Sequence, residues 1–339
     1  MFELSTPWAI LGVFLSGAAV VAAGPRMVRV ADRLADTTGL GEAFVGAVFV
    51  GAVTSLPDIL ATVLPAARGL PELAVGNALG GVLGQTAFLA VADLTYRRAN
   101  LEHAAASLPN IVQATLLVTL LGGVLALFAA PQGSVLGVHP GSLVLVAGYA
   151  YGLRLVTATS RTPMWHAVDT SETRADEADE PQQSGGGPTS LWARFVGLAV
   201  VLAAAGWTLA VSGESLVTTA GLGGAVVGVF VTGVVSSLAE LVVSIAAVRA
   251  GALTLAVANV IGGNTFDTLL VVAADVSYRD GSVYAAVGDQ HALVAAAALI
   301  ATAVLTLGML RRERHGIGNI GFESAFVLAL YLFTFVVLL

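Results

Sequence analysis

The sequence predicts an all-α polytopic membrane protein of ten transmembrane helices, built as two inverted five-helix repeats. Three observations carry that prediction. The 339 residues are 57% hydrophobic and only 11% charged, with a mean hydropathy of +0.88, too apolar for a soluble domain of this length. The chain repeats itself without a gap at a spacing of 182 residues. Its arginines gather on one side of the membrane once successive spans are made to alternate.

A spanning helix needs about 20 apolar residues. By that measure the spans fall at 7–24, 39–67, 70–92, 105–129, 141–160, 190–211, 221–248, 252–275, 286–309 and 321–339. The second and seventh are long enough to be bent or broken. The N-terminus has no charged n-region and no A-x-A site, so the first span is expected to be retained. Between the fifth and sixth spans runs the acidic stretch DTSETRADEADE (169–180), followed by GGGP, which reads as a solvated linker. This divides the chain into a first repeat at 1–160, a linker at 161–189 and a second repeat at 190–339.

All fifteen basic residues are arginine, and there is no cysteine, which excludes disulfides, thiol catalysis and cysteine metal sites. The 22 acids and the lysine-free composition fit either a salt-adapted proteome or a GC-rich genome. With the N-terminus outside, thirteen arginines fall on or near the cytoplasmic side and only Arg68 and Arg279 fall outside, a strong positive-inside bias. The expectation is a cell-membrane protein with both termini outside and the linker cytoplasmic.

GLGEAFVGAVFVGAVTSLPD (39–58) aligns with GLGGAVVGVFVTGVVSSLAE (221–240), LAVGNALGG (73–81) with LAVANVIGG (255–263), and VADLTYR (91–97) with AADVSYR (273–279). About a third of the positions between 39–97 and 221–279 are identical. Five spans per half is an odd number, so the two halves must cross the membrane in opposite senses. Inverted repeats are a transporter signature, because two alike halves can expose one central site to either side.

The chemistry lies in the repeated segments. Ser55, Asp58 and Thr62 share one helix face at i, i+3 and i+7, as do Ser237, Glu240 and Ser244. Asn77, Gly81 and Gln85 follow in the next span of the first half, and Asn259, Gly263 and Asp267 in that of the second. An ionised carboxylate at the bilayer centre costs about 2.5–3.5 kcal/mol on insertion scales, so the three acids sum to roughly 8–10 kcal/mol without compensation. No arginine lies near them in sequence, and a bound cation is the natural counter-charge. Oxygen-only ligands suit hard ions such as Ca²⁺ and Na⁺. Gly51, Pro57 and Gly233 mark where a helix break would free backbone carbonyls. A plainer reading is that Ser55-x-x-Asp58 and Ser237-x-x-Glu240 are capping boxes at helix starts, which leaves Asp267 and the asparagines unexplained. Gly76, Gly80 and Gly84 suit close helix packing. Asp93 and Asp275, before Tyr96-Arg97 and Tyr278-Arg279, read as interfacial anchors. The histidines have no metal-ligand spacing.

At these residues the chain resembles the cation/calcium exchanger superfamily, in its prokaryotic sodium/calcium exchanger-like branch. That family carries motifs of the type G-T-S-L-P-E and G-N-x-x-G-S-N-x-x-N/D, present here as GAVTSLPD with GNALGGVLGQ and GVVSSLAE with ANVIGGNTFD. The resemblance implies that Asp58 and Glu240 hold calcium. It implies that Thr54 and Ser236 offer carbonyl and side-chain oxygens, and that Ser55 and Ser237 flank as sodium ligands. Gln85 and Asp267 match the polar pair on the adjacent helices, and Gly51 and Gly233 match small positions whose carbonyls line sodium sites. The chain departs from the pattern at Asp58 (Glu is usual), Ala239 (Pro), Ala258 (Gly), Gly81 and Gly263 (Ser), and Gln85 (Asn or Asp).

The expectation is a secondary active antiporter, not an enzyme, exchanging Na⁺ for Ca²⁺ or a related divalent cation by alternating access. Its ligands would be Asp58, Glu240, Asp267, Gln85, Thr54, Ser236, Ser55, Ser237, Gly51, Gly233, Asn77 and Asn259. A carboxyl removed from water holds its proton more tightly, so a Ca²⁺/H⁺ antiporter stays open, as does a non-transporting paralogue that has lost hydroxyl ligands. An intramembrane aspartyl protease would need a GxGD motif, which is absent. No cofactor beyond the transported ions and no nucleic-acid partner is expected, the lipid bilayer is the surrounding partner, and a homo-oligomer is neither required nor excluded.

Overall fold

The computed structural model describes residues 4–38, 54–96, 100–161, 165, 168, 188–314, 316 and 321–339. Among them the chain is helical apart from short connections and one isolated bridge between Val135 and Val138. The first half contains α1 (Thr6–Thr38), α2 (Leu56–Ala67), α3 (Pro71–Thr95), the one-turn α4 (Leu101–Ala104), α5 (Leu108–Ala129) and α6 (Pro140–Arg161). The second half contains α7 (Pro188–Thr218), α8 (Gly224–Ser236), α9 (Leu238–Ala250), α10 (Leu253–Ser277), the one-turn α11 (Val283–Ala286), α12 (Asp289–Arg311) and α13 (Phe322–Leu338).

Seven of these, α1, α3, α5, α6, α7, α10 and α12, are long and apolar enough to cross a bilayer alone, and α8 with α9 forms an eighth span bent by 45°. The shorter apolar helices α2 and α13 complete the ten expected segments. Of the 39–67 span only the part from Thr54 onward is described, so Gly51 lies outside the described residues. The 221–248 span is broken, as its length suggests. It carries a π-helical turn at Gly228–Thr232, then leaves helical geometry at Ser237 (φ −89°, ψ 7°).

Several boundaries recur at the repeat spacing: α1 and α7, α2 and α9, α3 and α10, and α4 and α11 each begin 182 residues apart. Proline at the first or second helical position explains the starts of α2, α3, α5, α6 and α7, because a missing N–H costs nothing there. The turns after α2 and α9 use equivalent glycines, Gly69 (φ +78°) and Gly251 (φ +86°), in the left-handed region that ends helices readily only with glycine. Contacts follow the same symmetry. α1 packs on α7, α3 on α10 and α5 on α12; the pairing of α2 with α7 has its equivalent in α9 with α1, and that of α2 with α10 in α9 with α3. This is a pseudo-twofold arrangement with α3 and α10 at its centre.

The glycine row on α3 works as the sequence suggests at two of its three positions. A Cβ at Gly76 would lie 3.1 Å from Gly228 Cα, and one at Gly80 would collide with the Val229 backbone. Gly84 is looser, with Val234 Cγ2 at 3.8 Å.

Asp93 and Asp275 are not interfacial anchors. Both are 0% exposed. Asp275 accepts from His139 N and Ser142 Oγ, each at 2.7 Å, and from Val283 N at 3.0 Å, while Asp93 accepts from Leu101 N at 2.8 Å. Leu101 and Val283 open α4 and α11, so each acid caps a one-turn helix from the preceding long one, where negative charge suits the exposed N–H groups. The aromatic-arginine sequence beside each acid suggested an interface, but the cap partners lie eight residues downstream.

Candidate cation site

Both central acids sit at the third position after a helix break. Ser55 (φ −81°, ψ 9°) precedes α2 and Ser237 precedes α9 with nearly the same dihedrals. Neither serine caps its helix, so the capping-box geometry is not adopted. Their hydroxyls turn inward instead. Ser55 faces Asp267, while Ser237 accepts from Gln85 Nε2 at 3.1 Å and donates to Asp58 Oδ1 at 3.4 Å.

α2, α3, α9 and α10 meet around these groups. Asp58 is 1% exposed, Asp267 1% and Glu240 7%. Ser236 Oγ donates to Asp58 Oδ1 at 2.5 Å. Gln85 Nε2 also donates to Asp267 Oδ2 at 2.7 Å. Behind Asp58, Asn77 Nδ2 donates to the Asp58 carbonyl at 3.3 Å and to Thr62 Oγ1 at 3.0 Å, fixing the first turn of α2 against α3. Gly233 contributes backbone: its carbonyl lies 3.3 Å from Ser236 Oγ, and a Cβ there would lie 2.8 Å from Gly81 N and 2.9 Å from Asn77 O.

The acids feel one another. Glu240 lies within electrostatic range of Asp58, and Asp267 within range of both. The three are spread across the site, and among the described residues no three carboxylate or imidazole groups gather tightly enough to form one metal cluster. Among the described residues the ion pairs lie elsewhere: Arg68 pairs with Glu214 and Arg311 with Glu313. What remains is a set of buried oxygens without donors, comprising Asp58 Oδ2, Glu240 Oε2, Asp267 Oδ1, Gln85 Oε1, Asn77 Oδ1 and Asn264 Oδ1. All are acceptors. Leaving one such group unsatisfied costs about 1–3 kcal/mol, more when it is charged, and a hard cation is the species that satisfies several at once. The donor set therefore fits a cation bound by oxygen.

The two halves differ in access. A cavity of about 280 Å³ reaches the site from one side and is lined by Thr54, Ser55, Asn259 and Glu240, together with Tyr149 and Gln113. Asn77 and Ser236, the repeat equivalents of Asn259 and Thr54, are buried at 0% exposure. On that side Phe230 packs edge-on against Tyr331 and Phe335, with ring centroids 5.7 and 4.9 Å apart. Glu240 thus faces the open cavity, and Asp58 lies on the sealed side.

Eleven of the twelve residues expected at the site are described. Asp58, Glu240, Asp267, Gln85, Ser55, Ser236, Ser237 and Gly233 are brought together at the crossing of the helices. Asn77 supports Asp58 from behind, and Thr54 and Asn259 line the cavity. Asn264 was missed. Its Nδ2 donates to Thr86 Oγ1 at 2.9 Å across the repeat interface, and its Oδ1 is one of the unsatisfied oxygens. A lone asparagine facing Val82 in the repeat alignment was the available signal.

A family model described as sodium/calcium exchanger protein matches the chain twice, over residues 8–158 and 189–339. Among curated relatives, a protein of Alkalimonas amylolytica named as a candidate antiporter, CaxA, is 28% identical over 91% of this chain and 92% of its own length. Inner membrane protein YrbG of Escherichia coli (strain K12) is 26% identical over 83% and 82% respectively. The fold is that of solved exchangers. The sodium-calcium exchanger NCX_Mj superposes with a TM-score of 0.62 at 18% identity, covering 97% of this chain and 99% of that one. The H⁺/Ca²⁺ exchanger CAX gives 0.62 at 17%, covering 99% and 82%.

Proposed function

The chain belongs to the sodium/calcium exchanger family, and from that premise we propose that it is a secondary active antiporter moving Ca²⁺, or a related divalent cation, out of the cell against an inward Na⁺ gradient. The observation that carries this reading is the set of unsatisfied, buried, acceptor-only oxygens between the repeats, contributed by Asp58, Glu240, Asp267 and their amide neighbours. Asp58 and Glu240, on equivalent turns of the two repeats, would share the divalent ion. Ser55, Ser236, Ser237, Thr54, Gln85, Asp267 and local carbonyls would receive Na⁺ on either side. Gly51, by its repeat equivalence with Gly233, would add a carbonyl, and Asn77 and Asn259 would position these ligands.

Alternating access follows from the inverted repeat. The paired α1 and α7 would slide across the central helices, opening the Glu240 side and the Asp58 side in turn. With the site empty, unpaired carboxylates in a dry interior make that movement costly, and neutralisation by either cation set removes the cost. This enforces exchange over leak. In the orientation the arginines favour, the chain lies in the cell membrane with both termini outside, and the open cavity faces the cytoplasm.

A second reading, Ca²⁺/H⁺ exchange, is favoured by Gly81 and Gly263, where hydroxyl ligands for Na⁺ would otherwise stand. The deciding experiment is ⁴⁵Ca²⁺ uptake into proteoliposomes loaded with Na⁺ and diluted into Na⁺-free buffer. Uptake that needs internal Na⁺ and is abolished by Glu240→Gln and Asp58→Asn supports Na⁺ coupling. Uptake driven only by an imposed pH gradient replaces it with proton coupling. Silence under both gradients in a well-folded preparation defeats both readings.

A further inference from the structure

We propose that the groove between α1 and α7, at the end of the pair that carries Arg26 and Arg194, is a binding site for the headgroup of an anionic phospholipid. The inference needs only that the chain spans a membrane, and it is independent of which ions are exchanged.

The groove is a cavity of about 410 Å³ whose wall includes Arg26, Arg29, Arg33 and Arg194, with Gly197 and Leu198 among its apolar lining. Helical spacing explains the charge, because 26, 29 and 33 fall at i, i+3 and i+7 on one face of α1. Arg194 comes from the facing first turns of α7. Gly197 leaves a notch, since a Cβ there would meet nothing within 4 Å. Arg26 donates to the Ala22 carbonyl and Arg29 Nε to the Pro25 carbonyl at 3.2 Å, both within their own helix. Among the described residues neither makes an ion pair, and none is made by Arg194. Four arginines thus line one groove, in a chain that carries a net charge of −7.

The depth is right for a lipid. The apolar span of α1 ends at Ala31 and that of α7 begins at Thr189, so Arg26, Arg29 and Arg194 stand within five residues of the span ends and Arg33 just beyond, close enough for long side chains to reach the interface. Trp192, 42% exposed and one turn from Phe195, adds the aromatic marker of that level. Below the charges, Leu198 and the exposed Val201 line the same groove one and two turns further along α7, an apolar wall for an acyl chain. Guanidinium forks match phosphate oxygens, and basic pockets between transmembrane helices are suited to anionic headgroups. A soluble anion would use the arginines and leave the wall of Leu198 and Val201 uncovered. Because the groove lies on the α1–α7 pair, a headgroup seated there would rest on the two helices proposed to slide.

The test is native mass spectrometry of the full chain released from mixed phosphatidylcholine and phosphatidylglycerol vesicles. Wild type is expected to retain phosphatidylglycerol in preference to phosphatidylcholine. One basic residue near an anionic surface contributes on the order of a five-fold change in binding, so the Arg26→Gln/Arg29→Gln/Arg194→Gln variant should lose at least about ten-fold of that preference, and Arg279→Gln should keep it. A photo-crosslinkable phosphatidylglycerol on wild type provides a readout without any variant, and its adducts should map to 26–33 and 194–201. Equal retention by the triple variant, adducts elsewhere, or displacement by millimolar inorganic phosphate would each overturn the proposal.

Discussion

Gln85 and Asp267 occupy the same position in the two repeats and hydrogen-bond to each other, Nε2 to Oδ2, at 2.7 Å. A pseudo-twofold axis therefore passes between them, and the sequence has made the pair unequal. An amide donates where its partner is an acid. Two carboxylates at this distance would repel in a site already holding Asp58 and Glu240. The amide leaves Asp267 one oxygen free and keeps the pair joined without a cation.

Asp267→Asn follows directly from that pairing. It removes one charge of three while keeping size and shape. Helical content should be unchanged by circular dichroism, and coupled ⁴⁵Ca²⁺ flux in proteoliposomes should fall at least about ten-fold, the loss of one charged ligand being worth about 1.5–3 kcal/mol. Unchanged flux would remove Asp267 from the transport site.

Gly81→Ser tests the missing hydroxyl. A Cβ at Gly81 would lie 3.4 Å from Ser237 Oγ and 3.6 Å from Asp58 Oδ1, so serine fits and sets its hydroxyl beside the acid. The variant should fold and lower the Na⁺ concentration for half-maximal exchange by several-fold, one added ligand being worth about 1 kcal/mol. Gly263→Ser is tighter, with Gln85 Oε1 at 3.2 Å, and should require that side chain to shift.

Gly228→Ala should damage the fold. Its Cβ would stand 2.7 Å from the Leu73 carbonyl, 2.8 Å from Gly76 Cα and 2.9 Å from Asn77 N. These are backbone atoms that cannot rotate away. Overpacking of this kind costs about 1–3 kcal/mol, and a thermal shift assay should register a clear drop, while Gly197→Ala, in open space, should not.

Glu102 gives a pH dependence with a definite sign. It is 1% exposed on α4, outside the spans. Burial, then the charges of Asp93 and Glu323, hold its carboxyl well above the usual range near 4.5. The folded state therefore binds its proton more tightly than the unfolded chain does. Folding stability contributed here is full below the ordinary carboxylate value and is lost as pH rises toward the raised one. Glu102→Gln should match wild type at low pH and exceed it above that window. Parallel pH–stability curves for the two proteins would contradict this.

The repeated distribution of residues determined a great deal alone. Hydropathy set the spans because a bilayer demands about 20 apolar residues per crossing. The ungapped 182-residue repeat, with five spans per half, required inversion and located the acids on equivalent turns. Local chemistry was legible too, in the prolines that open helices and in Gly69 and Gly251, which close them. Other features depended on which helix faces which. Ser55 and Ser237 fit a capping pattern, yet the convergence of α2, α3, α9 and α10 offered their hydroxyls buried acids instead. Asp93 and Asp275 sat beside interfacial residues but found helix N-termini folded back against them. The open cavity beside Glu240 and the sealed packing beside Asp58 have no counterpart in the sequence, because two nearly equivalent repeats can exchange those roles. Which side is open is decided by how the helices pack around the acids, and only tertiary packing breaks that symmetry.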